Sequence, residues 1–228
     1  MNLILFEWQL IVRNKRLKQM FMVSIILIPL TIYMQLTDSK LIKDFFLVRE
    51  FFLWGVFVLP ANFATLAFST NATFIEKQLI VPLPIFNILQ AKYRLFGIVS
   101  IVLFILFLPS IWLGIDLMEL VSAFLFAIGF GFFGLFYSSL LSYKPFNIKA
   151  SSFINYQGFD ANNYFIPMLV LIIAFGFIAL FYWLFNETIT LIVMSLVGLV
   201  FISTNKIWLR TISKKFEKTK YYRLERFK

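Results

Sequence analysis

The sequence predicts an all-α integral membrane protein with six transmembrane helices, an N-terminal interfacial elbow helix and both termini cytoplasmic. Composition is the first reason. Of 228 residues, 61% are hydrophobic and 14% charged, against roughly 25% charged in a soluble domain. A water-soluble fold of this size could not hide so much apolar surface, whereas lipid solvates it. Segment length is the second. A helix needs about 17–25 apolar residues to cross about 30 Å of hydrocarbon. Residues 20–36, 51–69, 95–114, 120–142, 164–185 and 188–205 meet that need without one Asp, Glu, Lys or Arg. Charge placement is the third. With the N-terminus inside, eighteen of the 21 Lys and Arg fall on inner segments, leaving Lys40, Lys43 and Arg49 outside. Basic residues gather in cytoplasmic loops and set orientation.

The elements follow in order along a single transmembrane domain, residues 1–228. Residues 1–18 form the elbow: apolar from Leu3 to Val12 except for Glu7 and Gln9, then basic from Arg13 to Lys18. Such a composition suits a helix lying in the membrane interface. The outer segment 37–50 is long enough for a short interfacial helix through Leu41, Phe45 and Phe46. The outer turns at Asp116–Glu119 and at Asn186 and Glu187 are too short for anything but joining antiparallel neighbours. The inner segments 70–94, 143–163 and the basic tail 206–228 are longer, so the inner face is where a soluble partner can be met. In the tail, Leu209, Ile212 and Phe216 share one helical face. It reads either as a binder of the anionic inner leaflet, at about 1 kcal/mol per basic residue, or as a docking surface.

Several function classes are excluded or disfavoured. The chain has no Cys and no His, which removes the usual zinc, haem and iron–sulfur ligands and the commonest general acid/base. An integral membrane enzyme or an ion-coupled carrier would place ionisable residues within the membrane, and the six stretches carry none. The net charge of +10 reads as topology, not nucleic-acid binding. Gly129, Gly131 and Gly134 spell Gly-x-Gly-x-x-Gly, but within an apolar span rather than after a strand. Close helix packing, not dinucleotide binding, explains them. No Gly-x-x-x-x-Gly-Lys-Ser/Thr motif is present, so the chain is not itself an ATPase.

The segment 70–94 carries the most information. Pro82 and Pro84 interrupt it, predicting two short helices with a break, and Ile85, Ile88 and Leu89 recur at helical spacing before Lys92. Helix connections usually need only about 2–8 residues. The order Glu76, Pro82 six residues later, Ile88-Leu89, then Ala91-Lys92 resembles the first cytoplasmic loop of type-2 ABC exporter permeases, with matching spacing. Thr70–Thr73 stand where that family has Arg-Glu-x-Gly, and Pro84 stands for a Ser. A narrower resemblance, to a group of uncharacterised bacterial ABC permeases, rests on Arg13-Asn14-Lys15-Arg16, Ala91-Lys92-Tyr93 and Ser152–Gly158. Members of that group are often about twice as long, so this chain looks like their second half.

The resemblance implies a permease subunit of an ATP-driven exporter. Glu76, Lys77, Pro82, Pro84, Ile88, Leu89 and Lys92 would couple it to a separate ABC ATPase subunit, which would bind ATP and Mg. A second permease copy or a paralogue would complete a dimer in contact with membrane lipids, with no nucleic acid involved. Lys149, Asn155, Tyr156, Gln157 and Gly158 form a possible second contact. Gln35, Asn62, Thr65 and Tyr137 are the polar span residues that could line a path, although structural hydrogen bonding is the commoner use of such groups. Few charges in the spans would suit a lipid-like or amphipathic cargo. The competing expectation is a membrane scaffold or assembly subunit without a transport path.

Overall fold

The computed structural model describes residues 3–27, 29–30, 32–33, 45–66, 84–141 and 162–227. Every regular element among them is helical. The elbow is two helices, α1 (Leu3–Arg13) and α2 (Lys15–Met22), the second running into a π-helical turn at Val23–Leu27. Asn14 lies between them, its side-chain amide donating to the Leu10 carbonyl at 2.6 Å. Next come α3 (Phe46–Val58), tightening to a 3-10 stretch over Leu59–Leu66, and α4 (Ile85–Phe107), continued by a 3-10 turn at Leu108–Leu113. Helix α5 (Leu117–Phe126) passes through a π-helical turn (Ala127–Gly131) into Phe132–Ser138 and ends at Leu141. Helices α6 (Asn162–Leu184), α7 (Glu187–Ser203) and α8 (Asn205–Phe227) complete the chain.

Local chemistry sets these boundaries. Pro84, which has no N–H to give to a helix, stands immediately before α4. Gly114, at φ 94°, takes the left-handed conformation that closes α4. Asp116 then caps α5 in a capping box with Glu119. Asn186 caps α7 by accepting from the Ile189 N–H at 2.9 Å. These caps make α4/α5 and α6/α7 tight hairpins, as the short turns predict.

Among the described residues, two helices are long and apolar enough to cross a membrane: Ile85–Leu113, of 29 residues, and Leu117–Leu141, of 25. A third is possible if Glu187–Ser203 and Asn205–Thr219, bent by 60° at Thr204, form one span. At 1.5 Å per residue, α4 with its 3-10 turn is about 43 Å long, well beyond the hydrocarbon. The rod therefore runs on beyond the predicted span 95–114 at its N-terminal end. Residues 85–94, where helical spacing is predicted, form the first turns of the same rod, because nothing between Pro84 and Leu108 breaks a helix. Phe46–Glu50, part of the outer segment in which a short helix is expected, are the first turn of α3.

The core is aromatic. Trp54, Phe57, Phe96, Phe126, Phe132 and Phe136 are fully buried. Helix α5 is central, packed by α3 on one side and α7 on another. The glycine pattern in α5 is a packing device, as its place in an apolar span predicts. A Cβ on Gly129 would collide with the Gly198 backbone of α7, and one on Gly198 would collide with the Leu125 backbone. Gly131 similarly admits Val58, and Gly134 admits Val170, each 2.6 Å from where a Cβ would stand. Gly198 lies against Leu125 and Gly129, and Phe201 lies against Phe133 further along, so α5 and α7 run side by side and parallel. Their N-termini, and that of α3, lie at one end of the bundle. The elbow lies at the other.

Candidate functional site

At the elbow end, α1, the first turns of α4 and the tail helix α8 converge. Helix α1 has two faces. Glu7, Leu10 and Ile11 are buried, whereas Leu5, Trp8 and Val12 are exposed on the opposite side. The buried face lies on α4, and Glu7 receives a hydrogen bond from Lys92 in an ion pair whose side chains are only 4% and 6% exposed. Both charges are thus withdrawn from water, where each would be costly without the other.

Trp208 anchors the tail helix. It packs edge-on against Tyr93 at 5.5 Å and Phe133 at 5.7 Å, and its indole N–H donates to the Phe201 carbonyl at 2.9 Å. Leu209, Ile212 and Phe216 are buried beside it. The common face predicted for them exists, but it packs on protein. Lys206, Arg210, Lys214, Lys215 and Lys218 remain exposed. Arg210 lies 5.4 Å from the Phe86 ring of α4.

These contacts change the reading of several residues. Ile88, Leu89 and Lys92, expected to touch an ATPase, are buried. They lie at the helical spacing the sequence predicts, but Lys92 faces Glu7 of the elbow. Lys92 holds α1 to α4, and the burial of all three withdraws them from a soluble partner. Pro84 is exposed at the helix start. Tyr137, a candidate path residue, is 38% exposed and takes a 2.8 Å hydrogen bond from Lys215 of the tail, so it fastens α8 to α5. Glu76, Lys77, Pro82, Gln35, Lys149, Asn155, Tyr156, Gln157 and Gly158 lie outside the described residues, as do the side chains of Asn62 and Thr65.

The opposite end holds charges that the sequence reading missed. Arg49 of α3 pairs with Glu119 of α5, so Arg49 is not a loop residue. Its neighbour Glu50 is 0% exposed, and neither of its carboxyl oxygens has a hydrogen-bond partner among the described residues. Glu50 shares a face with Leu53, Trp54, Phe57, Ala61 and Ala64, all 0% exposed. That i, i+3, i+4, i+7 stripe is legible in the sequence. A window bounded by the first charged residue cuts it off.

Among the described residues, the two ends offer the ion pairs Glu7–Lys92 and Arg49–Glu119 and the buried acid Glu50. Among the described residues, no group of three or more acidic side chains could hold a metal ion. No curated protein matches the chain, and no solved structure does. A family model spans residues 2–228, and the chain belongs to that family, DUF5687, a family of unknown function.

Proposed function

We propose that this protein is the transmembrane subunit of an ATP-driven exporter of the ABC type, with six spans and cytoplasmic termini. The observation that carries the proposal is the unbroken helix from Ile85 to Leu113. It starts directly after the 74–84 part of the inner loop. A displacement of that loop by a separate ATPase would pass along α4 into the bundle without an intervening joint. The elbow, clamped by Glu7–Lys92, and the tail, anchored by Trp208, would move with it. In this reading Glu76, Lys77, Pro82 and Pro84 meet the ATPase, which carries ATP and Mg. Ile88, Leu89 and Lys92 transmit the motion.

The orientation and span count draw support from the arrangement of the ends. The starts of α3, α5 and α7, all expected outside, share one end, and the elbow and basic tail share the other. Trp112 and Trp183 are 89% and 80% exposed at the former end, where headgroup-level tryptophans are favoured.

The second reading, a scaffold or assembly subunit, has an observation of its own. The buried serines of the bundle spend their hydroxyls on nearby carbonyls: Ser100 on Phe57, Ser122 on Glu119, Ser138 on Leu135 and Ser139 on Phe136, at 2.6–2.9 Å. They are turned to helix packing rather than to a path.

Purification from native membranes in mild detergent separates the readings. The exporter reading predicts an ABC ATPase in the wild-type eluate, and its depletion with Glu76→Lys or Pro82→Ala although the variants still accumulate. Clean recovery without an ATPase, in several detergents, would establish the scaffold instead.

A further inference from the structure

The end of the bundle away from the elbow holds an acid with no visible role in coupling to an ATPase. Glu50 sits on the buried stripe of α3, where α3 meets α5. Among the described residues, three charged side chains act on it. Arg49 precedes it on α3, Glu119 faces it from α5, and Glu187 stands at the start of α7. Helices α4 and α6, which also pack on α3, bring no charged side chain to this end. Asp116 lies beyond Glu119, in the capping box. Arg49, which pairs with Glu119, favours the charged form of Glu50, but burial and the acids Glu119 and Glu187 outweigh it. One turn along the same face, the Trp54 indole N–H is also buried without a partner among the described residues.

An ionised carboxylate in such a place would be desolvated, unpaired and repelled by Glu119 and Glu187. A buried group in that position neutralises itself by taking up a proton. We propose that Glu50 is a proton-binding site that makes closure of the α3–α5–α7 end of the bundle dependent on pH. The ligand is the proton. It is held in the closed state seen here and released to water when α3 and α5 part.

The sign follows from the linkage. The closed state binds the proton more tightly than the open state, in which Glu50 meets water. Closure is therefore fully favoured below the pH at which the water-exposed acid titrates. It is lost as pH rises through the titration of the buried acid. In that window the closed-to-open ratio falls by up to about tenfold per pH unit, the limit for one proton. The proposal depends on the burial of Glu50 and not on an ATPase partner, so it stands or falls separately from the exporter reading.

The test uses the full-length protein in lipid nanodiscs. Infrared spectra at neutral pH should contain a protonated-carboxyl C=O band that disappears at alkaline pH and is missing from Glu50→Gln. The native chain has no cysteine, so Ser122→Cys, at a nearly isosteric and fully buried position of α5, adds a single thiol. Its labelling by a maleimide should rise with pH at least several-fold more steeply than in the same variant carrying Glu50→Gln. Glu50→Leu, which keeps the apolar packing without a titratable group, replaces Glu50→Gln should the latter not fold. Absence of the band in wild type, its persistence without Glu50, or the same pH slope of labelling in both backgrounds would overturn the proposal.

Discussion

Lys92→Met is expected to destabilise the protein by about 3–5 kcal/mol, the usual cost of stranding one partner of a buried ion pair. The pair joins residues 85 positions apart, and Glu7, 3% exposed, would be left inside without its cation. Glu7→Leu should cost a similar amount by stranding Lys92. The double variant Glu7→Leu/Lys92→Met should recover most of the loss, because two apolar side chains of similar volume replace a buried pair with little net cost. Thermal unfolding of the four proteins in one detergent measures this. The cycle also distinguishes a clamp from a docking contact. If Lys92 served a soluble partner directly, the double variant would be stable and still lose that partner. The clamp account predicts that stability and partner binding return together.

The second large effect concerns the α5–α7 contact. Gly198→Ala is expected to destabilise by about 1–3 kcal/mol, the usual range for forcing extra atoms into a filled core, and Gly129→Ala likewise. In each case the new methyl meets backbone, which no rotamer change relieves. Gly97→Ala supplies the contrast. A Cβ there meets nothing within 4 Å, and Ala gains up to about 1 kcal/mol over Gly in a helix interior. The same substitution in neighbouring helices should therefore shift the melting temperature in opposite directions. Equal shifts at the three sites would mean that α5 and α7 do not approach as described.

How much of this was legible in the sequence depends on the range of each signal. Helices occur in all six apolar stretches wherever these are described, because an uncharged apolar run fixes a helix locally. The caps at Asp116 and Asn186 and the turn at Gly114 are local too. At 46–50 and 85–94 the helices run on past the apolar windows, because such windows end at the first charged residue. A charged side chain that finds a partner does not end a helix. Glu7 shows the same limit. Read alone, it spoils the amphipathic pattern of the elbow. With Lys92 opposite, it belongs to the buried face beside Leu10 and Ile11. Such partners come from distant parts of the chain, and one sequence does not name them. Lys92 illustrates the risk in the other direction, since a motif-matched lysine lies inward. Glu50 was the recoverable case, because the 50, 53, 54, 57, 61, 64 periodicity marks its face without any knowledge of partners.

The central claim is that the inner loop before α4 meets a nucleotide-hydrolysing subunit. Photo-crosslinking in native membranes tests it most directly, with a photoreactive amino acid placed at Lys77 or, separately, at Lys40. The account predicts an adduct with an ABC ATPase from position 77 and none from position 40, since in the proposed topology the two positions face opposite sides of the membrane. An ATPase adduct from position 40, or none from position 77 while position 77 labels other soluble proteins, would contradict it.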